Sequence, residues 1–256
     1  MGRLRMEKRT YKKELVEDRI KNFWGYGSLD SPIWLIGMEE GCDNIIKHVE
    51  DRLMDTKGHQ TIELRKLRDA KHQELFSDGC TKTQPIWRLL IKILLALSGE
   101  NLDNKTNNEI KERVLSFQKK QLAKENHCLL ELMPLPAKSM KASEWNNVYG
   151  DFMFNNDLIK SRRDYKKYIK PFRVSKLIKL IKHKKPRMVI FYGKGYLDDW
   201  NKITDNKLRK RLNHGELEHA KQGETVFFTI YHPVSRGKTD EYWKEIIREI
   251  KRKWSN

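Results

Sequence analysis

Four polar side chains stand inside or just after short apolar runs, and their types suit acid–base and charge-stabilising chemistry. Gly37-Met38-Glu39-Glu40-Gly41 follows the run Pro32-Ile33-Trp34-Leu35-Ile36. Two glycines bracketing two carboxylates predict a tight turn. There, Glu39 or Glu40 can orient a water molecule or stabilise a developing cation. The same residues also suit an ordinary turn that opens a helix, where the dipole favours Glu. Glu131 is an acid within the run Cys128 to Leu132, ahead of Met133-Pro134-Leu135-Pro136. A buried Glu is costly unless paired, so Glu131 is on an exposed face, paired with a cation, or turned to a ligand. His232 opens the stiff loop His232-Pro233-Val234-Ser235-Arg236-Gly237. A neutral His there can donate a hydrogen bond to a departing oxyanion or base. Gly193-Lys194-Gly195 lacks the full dinucleotide fingerprint, so no cofactor is expected.

The elements that must hold these residues are legible as apolar runs and helical spacings. Runs at Pro32 to Ile36, Cys128 to Leu132, Met188 to Tyr192 and Thr225 to Ile230 predict buried strands, the last three ending at Pro134, Gly193 and His232-Pro233. Helices are expected at Lys8 to Trp24 (broken by Gly25-Tyr26-Gly27-Ser28), Trp87 to Leu97, Ile110 to Glu125, Phe172 to His183, Leu208 to His214 and Asp240 to Ile250. Between Ile45 and Phe76 the chain is charged, with helical apolar spacing at Leu64, Leu67 and Leu75. Alternating strands and helices predict an α/β fold: a three-layer α/β/α sandwich around a mainly parallel, four-stranded sheet. No linker or repeat is visible, so residues 1–256 read as one domain with a charged insertion at about 45–80. Ligands of such sheets bind at the carboxyl ends of the strands, where the polar residues above stand.

The 256 residues carry 53 Lys and Arg against 35 Asp and Glu, a net charge of +18. A globular chain this basic is expected to meet a polyanion. Lys160 to Lys170, which holds Arg162, Arg163 and two tyrosines, is the candidate binding stripe; the alternative is a solvated helix face. No apolar stretch is long enough to span a bilayer, and the first residues lead into a charged segment rather than an apolar signal core. Cys42, Cys80 and Cys128 are odd in number and form no Cys-x-x-Cys pair. A disulfide framework and a cysteine-ligated metal are therefore not expected, and a monomeric cytoplasmic protein is.

In combination these motifs resemble the uracil-DNA glycosylase superfamily. Gly37-Met38-Glu39-Glu40-Gly41 is similar to the Gly-Met-Asn-Pro-Gly turn of its single-strand-selective branch. His232-Pro233-Val234-Ser235-Arg236 is similar to that branch's His-Pro-Ser-Pro-Arg. Leu129-Leu130-Glu131 resembles the family strand that ends in a base-reading Asn, and Glu131-Leu132-Met133-Pro134-Leu135 an Asn-x-x-Pro-Leu segment. The resemblance spans Ile33 to Trp243. It implies a monofunctional DNA glycosylase that flips its target base into a pocket. Glu39, or less favourably Glu40, would be catalytic, with His232 supporting the departing base. Gly37, Met38, Gly41, Glu131 and a stacking Trp87 (or Phe76) would bind the base. Ser235, Arg236 and Lys238, with Arg162 and Arg163, would hold DNA, Arg236 filling the gap left by the flipped base.

Departures from the family pattern bear on the substrate. Glu39, Glu40 and Glu131 replace Asn or Asp, Pro and Asn, and the segment at 45–80 has no counterpart. With three cysteines, the iron–sulfur branch is excluded. If ionised, Glu131 accepts hydrogen bonds only and favours an exocyclic amino group, as on cytosine. That points to a hypermodified cytosine of phage DNA, such as glucosylated hydroxymethylcytosine. Uracil in repair is the runner-up. A non-catalytic DNA-binding protein of the same fold, or a nuclease using Glu39, Glu40 and Glu131 with Mg²⁺, stay as alternatives.

Overall fold

The computed structural model describes residues 13–42, 46–137, 145, 148–210 and 217–254. The four apolar runs form the middle of one sheet. β2 (Ile33–Gly41) lies between β4 (His127–Ala137) and β7 (Met188–Tyr192), parallel to both, and β7 pairs in parallel with β10 (Thr225–Ile230). Residues 33–38 of β2 and all of β7 are buried. Two covered faces explain why the runs are continuous rather than alternating.

Among the described residues the sheet has eight strands, not four, in the order β3 (Thr61–Ile62), β1 (Gly25–Gly27), β4, β2, β7, β10, β9 (Glu218–Gln222), β8 (Arg209–Lys210). The additions are short or polar strands at its two edges, while β5 (Phe152–Phe154) and β6 (Asp157–Ile159) form a separate antiparallel pair. β1 runs antiparallel to β4, and β3 parallel to β1. At the other edge β9 is antiparallel to β10, and β8 to β9. The glycines of β1, which read as a break, are needed for close approach. A Cβ on Gly25 would fall 2.8 Å from Leu130 Cα, against the β4 backbone. β8 occupies part of the expected helix at Leu208 to His214, whose later residues lie outside the described ones.

Helices cover both faces, giving three layers. On one face α1 (13–22), α2 (Ile46–Asp55) and a long helix from Arg162 pack on Trp34, Ile36, Leu130 and Phe191. That long helix, α6 below, comprises Arg162–Asp164, a π-helical turn Tyr165–Ile169, and Lys170–Lys184. On the other face α4 (Pro85–Leu97), α5 (Asn107–Lys120) and the final helix Asp240–Trp254 cover Leu35, Ile190 and Phe228. The stretch 45–76 is not one helix. After α2 it turns at Gly58, forms β3 and a 3₁₀ turn at Leu64–Lys66, then α3 (Ala70–Glu74). The beginning of the expected helix Lys8 to Trp24 lies outside the described residues.

Two strand ends differ from expectation, and both bear on chemistry. β2 does not turn at Gly37 but continues to Gly41, and β4 continues past Pro134 to Ala137. Glu39 pairs with Met133 and Gly41 with Ala137, so β4 carries extra residues there. This bulge takes Pro134 and Pro136 out of the regular ladder, which is how a strand tolerates them. Among the described residues no helix is long and apolar enough to cross a membrane.

Candidate functional site

The carboxyl ends of β2, β4, β7 and β10 surround a cavity of about 430 Å³. Glu39, Glu40, Glu131, Tyr192 and His232 line it, together with Trp87. Four strands and the loop after the last one thus bring together residues separated by almost 200 positions. The charged segment reaches the same space: Arg52, Leu64 and His72 form part of the wall.

The two adjacent glutamates of β2 have different partners. Glu40 is the hub of a buried ionic network. Its Oε2 accepts from Arg19 Nη2 at 2.6 Å, and its Oε1 from Arg52 Nη1 and the Tyr26 hydroxyl at 2.5 Å each. Arg52 also reaches Asp69 at 3.1 Å, and Arg19 Nε reaches the carbonyl of Pro134 in the bulge at 2.7 Å. Burial pushes the Glu40 carboxyl up, but the Arg52 and Arg19 guanidiniums outweigh it and hold the group below the ordinary carboxylate range. Glu39 instead pairs with Arg162. Burial raises its pKa and Arg162 offsets this only in part, so Glu39 is the more basic carboxylate.

Glu131 meets Gly37 across the β2–β4 ladder. The Tyr192 hydroxyl donates to its Oε1 at 3.0 Å, while Oε2 is enclosed and has no hydrogen-bond partner among the described residues. Burial, aided by the charges of Glu40 and Glu39, pushes its carboxyl up to about 8, against the Tyr192 hydrogen bond. That upward shift favours the protonated carboxyl, which both donates and accepts, over the ionised form that only accepts. Gly37 makes the arrangement possible. A Cβ there would lie 2.6 Å from Glu131 Oε2 and closer still to the Tyr192 hydroxyl. Gly37→Ala is expected to cost about 1–3 kcal/mol through overpacking, read as a shifted urea midpoint. An unshifted midpoint would show that the Tyr192–Glu131 pair moves aside freely.

His232 lies two residues past β10, its ring 6.1 Å from that of Tyr192. Burial lowers its pKa, which keeps the imidazole neutral at pH 7. Beyond it the loop turns outward, Ser235 N bonding the His232 carbonyl at 2.8 Å. Arg236 is exposed, as is Val234, and Ser235 is half-buried. Lys238 stands over the rings of Tyr231 and Tyr242, 4.1 and 4.5 Å from their centroids. Met38 and Gly41 line the cavity, as does Trp87, which packs against His72 and Phe76.

The proposed binding stripe is only half a surface. Arg163, Lys160 and Lys167 are exposed, but Arg162 is 3% exposed and turned to Glu39, so its expected place on DNA phosphates is corrected. Tyr165 is in the core, its hydroxyl accepting from Leu135 N at 3.0 Å. Arg162, Tyr165 and Ile169 share the inward face at helical spacing, a periodicity that the run of cations masks in the sequence.

Sequence reasoning missed Tyr192, Tyr26, Arg19 and Arg52. Tyr192 carried one signal, a hydroxyl closing an otherwise apolar strand. The arginines carried none, being two among many cations. Among the described residues, no three His, Cys, Asp or Glu side chains are placed to hold a metal ion. Comparison of the chain with protein-family models, with curated proteins and with solved structures finds no match.

Proposed function

We propose that this protein is a monofunctional DNA glycosylase that hydrolyses the N-glycosidic bond of a flipped-out, non-canonical pyrimidine and leaves an abasic site. The observation that carries the reading is the joint presence of Glu39, Glu131 and His232 on one cavity at the strand ends. In the reaction, the bond between the sugar C1′ and the base nitrogen breaks toward an oxocarbenium-like sugar. Glu39, made more basic by burial, accepts a proton from the attacking water and offsets the cationic sugar. The neutral His232 donates a hydrogen bond to the departing base, which carries away the bonding electrons. Glu40, committed to two arginines, orders the pocket wall rather than exchanging protons.

The favoured substrate is a hypermodified cytosine, as in glucosylated phage DNA. At about 430 Å³ the cavity falls in the range of pockets for drug-sized ligands and exceeds what a bare pyrimidine fills. The extra wall comes from the segment at 45–80, through Arg52, Leu64 and His72. DNA is the partner, with the protein acting as a cytoplasmic monomer. The exposed Arg236 and Arg163 serve its phosphates or the gap left by the base. Uracil is the second reading, favoured by a protonated Glu131, which can pair with a carbonyl as well as an amino group.

The test is release of base, in EDTA, from DNAs containing glucosylated hydroxymethylcytosine, plain cytosine or uracil. Abasic sites on the glucosylated DNA alone are expected. Release of uracil alone would replace the substrate, and binding without any product would remove the enzyme assignment.

A further inference from the structure

We infer that a basic cleft between the end of α1 and one face of α6 binds a phosphate group, at a place separate from the cavity at the strand ends. The cleft, of about 260 Å³, shares no lining residue with that cavity. Lys21, Lys176, Lys179 and His183 line it, and among the described residues no Asp or Glu does. Helical spacing gathers three of the four basic side chains: Lys176, Lys179 and His183 stand three and four positions apart and share one face of α6. Lys21 comes from the end of α1. The acids of α1 nearby are already engaged. Glu17 pairs with Lys21 at 3.5 Å, and Asp18 accepts from the Asn22 amide and from Gly58 N.

Two further observations point to an anion. The first is Trp24, which lines the same cleft and is 3% exposed. Its backbone is fixed on both sides, N bonding the Gln60 carbonyl and O accepting from Glu131 N. Among the described residues nothing accepts from its indole N–H, and that N–H is not sealed from solvent. An indole nitrogen only donates, so what it lacks is an acceptor. The second is Arg173, fully buried, with its guanidinium 3.4 Å from the centroid of the Trp24 ring. It bonds the backbone carbonyls of Ile20, Glu131 and Leu132, and no described carboxylate pairs with it. Burial pulls its pKa down to about 9, and burial together with the Arg173 charge lowers that of Lys176. An anion in the cleft would supply the counter-charge that the surrounding side chains do not.

Helix capping accounts for only part of the cluster. Lys176 Nζ bonds the Lys21 carbonyl at 2.6 Å at the end of α1, and His183 stands in the last turn of α6, where the dipole favours basic side chains. Lys179, the indole N–H and the uncompensated Arg173 are left over. A phosphate uses all three. Its oxygens accept from the ammonium groups and the indole N–H, and its charge offsets the guanidinium behind the ring. That chemistry is shared by a phosphate of a DNA backbone and by a small phosphorylated ligand.

The test uses the full chain and separates these sources. The Trp24 indole N–H is followed by proton–nitrogen NMR, assigned by its loss in Trp24→Phe. Inorganic phosphate, a nucleoside monophosphate or a short DNA duplex is added at constant ionic strength. Saturable displacement of the signal by at least one of the three, and not by sodium chloride, is expected. Lys176→Gln combined with Lys179→Gln should weaken that binding about tenfold or more. Lys179→Gln alone, at an exposed position, should weaken it severalfold and serves if the double variant loses stability. Displacement by the duplex alone, with a shallower salt dependence in the double variant, marks a DNA backbone site. Displacement by inorganic phosphate or the mononucleotide alone marks a site for a small ligand, and displacement by all three a phosphate site that DNA shares. A signal indifferent to all three, or an affinity unchanged in the variants, overturns the inference. The result is independent of base release, since no residue of the catalytic cavity is altered.

Discussion

Glu39→Gln and His232→Ala are each expected to slow base release about hundredfold or more, with DNA affinity little changed. That magnitude is typical for losing one group that acts on charge developing in the transition state. Glutamine keeps the size of Glu39 and contact with Arg162 but cannot take a proton from water. Alanine at 232 removes the ring that would bond the departing base, while leaving the backbone turn to Ser235. Single-turnover release measured beside equilibrium DNA binding separates the chemical step from association. Full activity in both variants would place the chemistry elsewhere. Because Glu39 pairs with the buried Arg162, the unfolding curve of Glu39→Gln belongs with its rate. A rate loss without a stability loss is the signature of a catalytic role.

Glu40→Ala is expected to destabilise the fold by about 3–5 kcal/mol, the usual consequence of removing one partner from a buried ionic cluster. Arg19 is 1% exposed and would keep only neutral partners, the Pro134 and Arg52 carbonyls and the Thr56 hydroxyl. Arg52 would keep Asp69, and Tyr26 would lose its acceptor. Urea unfolding at pH 7 measures the effect, and a loss below about 1 kcal/mol would contradict it. The pH dependence has a definite sign. The folded pKa of Glu40 is depressed, so its contribution is complete at neutral pH and declines as pH falls below the ordinary carboxylate value. Glu40→Ala should therefore lose less at low pH than at pH 7. Glu40→Gln, which retains hydrogen bonds but no charge, should fall between.

The sequence by itself determined the frame of this protein. Mainly apolar runs at 33–36, 128–132, 188–192 and 225–230 suit strands buried on both faces of a covered, mainly parallel sheet, and such a sheet collects ligands at its carboxyl ends. From that geometry alone, Glu39, Glu131 and His232 could be expected around one cavity, as they are. The edge strands were not legible, because two- or three-residue strands and the polar Glu218–Gln222 have no periodicity to read. Tertiary structure alone decided the state and partner of each group. Arg162 left the basic stripe for Glu39 because its helical phase, shared with Tyr165 and Ile169, points inward. Adjacent glutamates separated into one bound by two arginines and one bound by a single arginine, because α1 and α2 bring Arg19 and Arg52 to Glu40 while α6 brings Arg162 to Glu39. The Glu131 carboxyl was pushed up to about 8. Its charge state depends on burial and on the charges gathered around it from other strands, and no local pattern of residues encodes that sum.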